Sequence, residues 1–316
     1  MTETEIILYL VGGLAMLFIG GEGLIRGSSN LTIKIGITPL VVGLTVVAFG
    51  TSAPELVVSL KAALIGNSAI SLGNVVGSNI ANIALILGLA ALVRPLEIHT
   101  KVIIKEIPIM IVVSILLLLL LIDGEISFLD GLIFVTGIVV YTIVSVMMAR
   151  KEKNKQVNDE FKEGLKSRFG ISVSIALVVG GLALLIVGAN LFVQAAVAIA
   201  KLFSISDAII GLTIVAVGTS LPELVTSIVA AYKNESDIAV GNVVGSNIFN
   251  ILSILGITAL IVPISSSGIS YVDLGVMIFT AVVLLPLSRT GYKITRIEGS
   301  LLVLGYVIYV YYLLPK

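Results

Sequence analysis

Two short stretches hold the acids best placed for chemistry in this chain. Gly50-Thr51-Ser52-Ala53-Pro54-Glu55 recurs as Gly218-Thr219-Ser220-Leu221-Pro222-Glu223, and each stands inside a long apolar run. Of the 19 acidic residues, only Glu55 and Glu223 fall at the centre of such a run. A carboxylate in hydrocarbon costs about 2.5–3.5 kcal/mol on insertion scales, so two of them require a bound cation, protonation or water. Pro54, four residues after Gly50, gives no N–H to the Gly50 carbonyl and clashes with it, which opens the turn and frees oxygens around Ala48 to Thr51. Pro222 does the same at Gly218. Irregular backbone at membrane depth is tolerated only inside protein or along a cavity, so each break reads as a ligand loop. Thr51 and Glu55, or Ser52, Glu55 and Ser59, also share a helix face.

A second pair of motifs follows. Gly73-Asn74-Val75-Val76-Gly77-Ser78-Asn79-Ile80-Ala81-Asn82 is repeated as Gly241-Asn242-Val243-Val244-Gly245-Ser246-Asn247-Ile248-Phe249-Asn250. Asn74, Ser78 and Asn82 stack along one helix face, and Gly73 and Gly77 make a flat stripe beside them. Taken alone, such residues are helix-packing glue. Twice in company with a broken helix and a mid-span acid, they favour ligation.

The donor inventory sets the ion class. It offers carboxylate, amide, hydroxyl and carbonyl oxygens, with no cysteine and one histidine, His99, in the chain. This hard-oxygen set suits Ca²⁺, Mg²⁺ or alkali ions and is poor for zinc or copper. Magnesium fits less well because it keeps its waters. Two carboxylates neutralise one divalent ion or share several Na⁺, so one pocket accepts either cargo but not both, which is what antiport requires.

The elements that must position these residues are membrane helices. The 316 residues are 58% hydrophobic and 12% charged, against about 45–50% and about 25% in soluble domains. Ten Leu/Ile/Val-rich runs reach the length of a membrane helix, at residues 5–25, 38–65, 70–93, 103–122, 127–149, 170–200, 207–231, 237–262, 271–287 and 298–314. None alternates as a barrel strand would. The first opens on Glu3 and Glu5, where a signal peptide would be basic. Lys+Arg 19 balances Asp+Glu 19, so no basic field exists to hold a nucleic acid. Without cysteine, and with a lone histidine, disulfide frameworks, thiolate zinc sites and Ser-His-Asp hydrolysis are set aside.

A shift of 168 residues lays 43–90 on 211–258 with 30 of 48 positions identical, and pairs Gly12-Gly13-Leu14 with Gly180-Gly181-Leu182. The chain therefore divides into 1–149, a linker at 150–168, and 169–316. Five spans per half is odd, so the second half enters the membrane inverted, as in alternating-access transporters. A plain duplicated bundle is the competing reading. Sixteen of the 19 basic residues fall in one set of loops, which places the linker in the cytoplasm and both termini outside. The expected fold class is all-α integral membrane: ten transmembrane helices as two inverted five-helix repeats.

The paired Gly-Thr-Ser-x-Pro-Glu and Gly-Asn-Val-Val-Gly-Ser-Asn-Ile motifs resemble the two alpha repeats of the calcium/cation antiporter superfamily, and most of all its prokaryotic sodium/calcium exchangers. The resemblance covers all ten spans. It implies a core of spans two, three, seven and eight, with spans one and six sliding as a gating pair. It implies calcium ligation by Glu55 and Glu223 with the carbonyls of Thr51 and Thr219. Flanking sodium sites would use the Ala48 carbonyl with Ser78, and the Ala216 carbonyl with Ser246, with Ser52 and Ser220 close by. Asn82 and Asn250 would face the centre. Several relatives, including potassium-dependent exchangers, carry Asp where Asn250 stands, which argues against potassium co-transport here. The proton-coupled branch has an acidic residue, often with His, after its Gly-Asn motif; Gly77-Ser78-Asn79 and Gly245-Ser246-Asn247 stand there instead, which favours sodium.

The expected function is Na⁺/Ca²⁺ antiport across the cell membrane by a monomer without a cofactor. Two alternatives stay open: H⁺/Ca²⁺ antiport in the same fold, and a membrane-embedded enzyme using Glu55 and Glu223 as acid and base. The latter suits symmetry mates poorly, since acid and base need unlike environments. A channel suits inverted halves less well than two exchanging states do. Elsewhere, Glu22 and Arg26 read as a local i,i+4 pair, and Asp123, Glu125 and Asp130 as a solvated turn.

Overall fold

The computed structural model describes residues 1–31, 38–156, 170–202, 216–266 and 269–313. Its helices are α1 (Glu3–Leu31), α2 (Pro39–Thr51), α3 (Ala53–Leu64), α4 (Ser68–Val93), α5 (Val102–Leu120), α6 (Phe128–Gln156), α7 (Ile171–Leu202), α8 (Ala216–Thr219), α9 (Leu221–Tyr232), α10 (Ser236–Ile261), α11 (Tyr271–Arg289) and α12 (Arg296–Leu313). Among the described residues, eight helices are long and apolar enough to cross a membrane, and α2 with α3, taken together across a bend of 44°, are a candidate ninth. The protein is a multi-pass membrane protein. The span expected at 207–231 begins outside the described residues, and α8 and α9 are its described part. The expected linker lies largely outside them too, although α6 runs on to Gln156. That extension, Arg150-Lys151-Glu152-Lys153-Asn154-Lys155-Gln156, is rich in good helix formers, which need no hydrocarbon to stay helical.

Local chemistry sets the helix ends. Thr38 caps α2 through the Val41 N–H, with Pro39 in the first turn, and Asn67 caps α4 through the Ile70 N–H. The kink between α2 and α3 is at Ser52, whose φ −81° and ψ 5° leave the helical region, and Pro54 opens the next helix. Ser220, at φ −89° and ψ 10°, and Pro222 repeat this between α8 and α9. Proline is tolerated in a first turn, where its missing N–H has no intrahelical acceptor. The same residue that breaks one helix thus starts the next.

Helices α4 and α10 form the centre. In their apolar windows 78% and 83% of residues are buried, against 28% in α1, α6, α7 and α11 and 11% in α12. Large exposed side chains such as Ile7, Leu8, Val11 and Phe18 on α1 face outward, as a lipid-facing surface requires. Helices α1 and α7 lie along each other on small residues seven apart. A Cβ at Gly20 would meet the Gly181 carbonyl at 2.8 Å, and one at Gly13 would meet the Gly188 carbonyl at 2.9 Å. Only glycine permits backbones this close.

Two short antiparallel ribbons tie loops of the two halves. Strand β1 (Leu96–Glu97) pairs with β4 (Lys293–Ile294), Leu96 opposite Ile294. Strand β2 (Glu125–Ile126) pairs with β3 (Ile264–Ser265), Ile126 opposite Ile264. Adding 168 to Leu96 gives Ile264, and to Ile126 gives Ile294, so each ribbon is the other's image.

Two polar clusters were not foreseen. Glu22 does pair with Arg26, at 2.5 Å, but Lys233 also reaches it, at 2.6 Å, so α1 is tied to the turn after α9. Glu106, in a π-helical turn at Val102–Glu106, is buried and accepts a hydrogen bond from the Tyr141 hydroxyl at 2.9 Å, fastening α5 to α6.

Candidate functional site

The breaks aim the acids inward. Glu55 sits in the first turn of α3 and Glu223 in the first turn of α9, and each is 1% exposed. The Ser52 hydroxyl donates to Glu223 Oε1 at 2.9 Å, and the Ser220 hydroxyl donates to Glu55 Oε1 at 3.1 Å. Each acid is therefore clasped by the serine preceding the other. Glu55 Oε2 and Glu223 Oε2 are buried with no hydrogen-bond partner. Ion pairs join Glu22 to Arg26 and Lys233, and Glu106 to Lys105; none of these reaches Glu55 or Glu223. Unpaired buried carboxylates are costly, so this arrangement calls for a positive guest or protons.

Asparagines lock the frame around the acids. Asn74 Nδ2 donates to the Glu55 carbonyl at 3.2 Å and to Ser59 Oγ at 2.9 Å, while its Oδ1 accepts from the Thr219 hydroxyl at 3.4 Å. Asn242 Nδ2 donates to the Glu223 carbonyl at 3.3 Å and to Ser227 Oγ at 2.9 Å, while its Oδ1 lies 3.1 Å from the Thr51 hydroxyl. The expected stripe of Asn74, Ser78 and Asn82 thus splits: Asn74 shapes the backbone under Glu55. Asn82 Nδ2 donates to Asn247 Oδ1 at 3.0 Å, and Asn250 Nδ2 to Asn79 Oδ1 at 2.9 Å. Asn82 Oδ1 and Asn250 Oδ1 are left buried without a donor. They fall at π-helical turns, Ala81–Leu87 and Asn250–Leu255, a feature frequent at functional sites.

The remaining expected residues are placed unequally. Ser78 Oγ is 3.2 Å from Ser220 Oγ, whereas Ser246 Oγ is buried without a partner. The Ala48 carbonyl still accepts the Ser52 N–H at 3.0 Å and lies 3.3 Å from the Thr51 hydroxyl, so the break frees fewer oxygens there than expected. Ala216 begins α8. Asn79 and Asn247 stood in the quoted motifs without a role. Their exact repetition was the signal, and their partner across the halves could be known only from the fold.

Chemically, the cluster is two carboxylates within a shell of neutral oxygens. Among the described residues, no group of three His, Cys, Asp or Glu side chains gathers as a metal site. Nor does the surface cleft of about 510 Å³ reach the acids; it lies by the β1–β4 loops between Glu97, His99, Asp237 and Lys293. Both acids are buried.

Comparison with known proteins follows the same lines. The sequence model of the family described as sodium/calcium exchanger protein matches residues 5–147 and 173–314. The putative antiporter CaxA of Alkalimonas amylolytica is 37% identical over 311 residues, 97% of this chain and 98% of its own length. The inner membrane protein YrbG of Escherichia coli is 39% identical over 315 residues, 97% of each chain. In solved structures, the sodium-calcium exchanger NCX_Mj soaked with Na⁺ and Ca²⁺ superposes with a TM-score of 0.85 at 32% identity, covering 100% of both chains.

Proposed function

Since the chain belongs to the sodium/calcium exchanger family, matched along both halves, we propose that it is a Na⁺/Ca²⁺ antiporter working by alternating access. The observation that carries this reading is the crossed clasp. Glu55 and Glu223 come from opposite halves, each is held by the other's serine, and each keeps one buried oxygen with no partner. With Asn82 Oδ1, Asn250 Oδ1, Ser78, Ser246 and the carbonyls of Thr51, Thr219, Ala48 and Ala216, they can supply the six to eight oxygens calcium takes. Calcium sits between the acids, and sodium ions use the serine and alanine oxygens on either side. Both cargoes need the same two charges, so binding of one displaces the other.

The architecture is two inverted five-helix halves, 1–149 and 169–316, joined by the linker at 150–168. The loop ribbons support this by parity. Strands that pair must lie on one side of the membrane, so an even number of spans separates them. Between Ile126 and Ile264 lie α6, α7, α10 and the segment 207–231, which makes four only if that segment crosses. The Lys233–Glu22 contact puts the end of α1 and the turn before α10 on one side as well. Basic residues crowd this side, so it is cytoplasmic, with the termini outside. The protein acts as a monomer in the lipid bilayer.

The test is ⁴⁵Ca²⁺ uptake by purified protein in vesicles. An outward sodium gradient should drive uptake. Equal uptake driven by a proton gradient without sodium would replace this reading with H⁺/Ca²⁺ exchange.

A further inference from the structure

We propose that Asn79 and Asn247 are positioning residues that fix which end of the Asn82 and Asn250 amides is offered to the cation. The proposal rests on Asn82 and Asn250 being ligands, as read above. An amide has an oxygen end and an N–H₂ end of nearly equal size. Only the first can hold a cation, so a site built on asparagine must settle the orientation.

The polarity is settled by two backbone carbonyls. Asn79 Nδ2 donates to the Asn247 carbonyl at 3.3 Å, and a carbonyl can only accept. The Asn79 oxygen must then point the other way, where it takes Asn250 Nδ2 at 2.9 Å. That commits the nitrogen of Asn250 and turns its Oδ1 away, to a buried position without a donor. The reverse relay is built on the other half. Asn247 Nδ2 donates to the Asn79 carbonyl at 3.2 Å, Asn247 Oδ1 takes Asn82 Nδ2 at 3.0 Å, and Asn82 Oδ1 is the one left over.

Thioether sulfurs reinforce the same sense. Asn247 Nδ2 is 3.5 Å from Met110 Sδ, and Asn79 Nδ2 is 3.9 Å from Met277 Sδ. Sulfur here is a weak acceptor and never a donor. Flipping Asn82 alone would set two amide oxygens against each other, and flipping Asn247 as well would set its oxygen against a carbonyl and a sulfur. Carbonyl, amide and amide therefore form a chain with one allowed direction, and it ends in oxygen at both ligands. Mere packing glue would serve equally well in either direction.

The test is a double-mutant cycle read by equilibrium ⁴⁵Ca²⁺ binding to the purified full chain. Asn247→Leu frees the Asn82 amide to turn, and should weaken calcium binding about tenfold, the size of one lost buried hydrogen bond. Asn82→Ala removes the oxygen itself. If Asn247 acts through Asn82, adding Asn247→Leu to Asn82→Ala weakens binding no further. Additive losses, or unchanged affinity in Asn247→Leu, would overturn the proposal. Unchanged affinity in Asn82→Ala would instead remove the ligand reading on which it rests. Should Asn247→Leu not fold, Asn247→Ser, polar but too short to reach Asn82, takes its place in the cycle with the same two outcomes.

Discussion

Ser52 and Glu223 stand 171 positions apart in the chain, yet the serine hydroxyl donates to the carboxylate at 2.9 Å. Ser220 returns the bond to Glu55 at 3.1 Å. Each half positions the backbone of its own acid through Asn74 or Asn242, but the carboxylate is held by a hydroxyl from the other half. Any movement of one half against the other must disturb both carboxylates together. A single site shared by two halves is what alternating access needs, because its ligands then respond to which side is open.

Replacing one acid tests the charge requirement. Glu55→Gln or Glu223→Gln keeps the shape but leaves one negative charge for a divalent guest, so sodium-driven ⁴⁵Ca²⁺ uptake should fall at least about 100-fold, since a lost interaction with a buried charge costs about 3–5 kcal/mol. Thermal unfolding checks that the fold survives. Calcium at about 100 times its Kd stabilises a binding protein by about 2.7 kcal/mol, and that gain should vanish in either variant.

The crossed clasp makes a second expectation. Ser52→Ala strips Glu223 Oε1 of its donor, and Ser220→Ala does so for Glu55. A hydrogen bond to a charged group contributes about 1.5–3 kcal/mol. Equilibrium calcium binding should therefore weaken by about 10- to 100-fold in each, and by similar factors in the two. A large effect from one serine alone would show that the halves are not equivalent at the site.

Pro54 concerns the break itself. Pro54→Ala restores an N–H four residues after Gly50, so the 44° bend between α2 and α3 can straighten. Unfolding temperature should rise while exchange slows by tenfold or more, on the order of one lost ligand carbonyl. Faster exchange would show that the bend is not needed.

The glycine contact between α1 and α7 gives a paired experiment. A Cβ at Gly20 meets the Gly181 carbonyl at 2.8 Å, whereas at Gly12 nothing lies within 4 Å. Gly20→Ala should destabilise the protein by about 1–3 kcal/mol through overpacking and slow turnover more than it weakens calcium binding. Gly12→Ala should do neither, as thermal unfolding and flux measured side by side will show.

Asn250 sets the potassium expectation. With a neutral amide at Asn250, where the family resemblance drawn from the sequence expects Asp in potassium-dependent exchangers, removing potassium from both sides of the vesicle should leave the rate of sodium-driven calcium uptake unchanged.

Much of this could be read from the sequence because polarity in an apolar run is conspicuous. Glu55, Glu223 and the two Pro-Glu breaks stood out on that ground, and repetition at all but one position, Ala81 against Phe249, picked out both asparagine motifs. The helices of the centre followed from their polar stripes. What stayed hidden was made by contacts between distant segments: Lys233 on Glu22, Tyr141 on Glu106, and the Asn79 and Asn247 relay all join residues on different helices. The π-helical turns at Asn82 and Asn250 were equally unreadable, since a single helical period fits their sequences as well. The apolar part of α6 ends at Met148, close to the span expected at 127–149, while the helix itself runs on to Gln156, because hydrophobicity marks where a helix leaves lipid and not where it stops being a helix.

The most direct test is a high-resolution map of the protein saturated with calcium. A cation peak should lie between the acids, within about 2.3–2.6 Å of one carboxylate oxygen from Glu55 and one from Glu223, with the Asn82 and Asn250 oxygens turned toward it. Two side chains well separated, with no cation density between them at saturating calcium, would contradict the account.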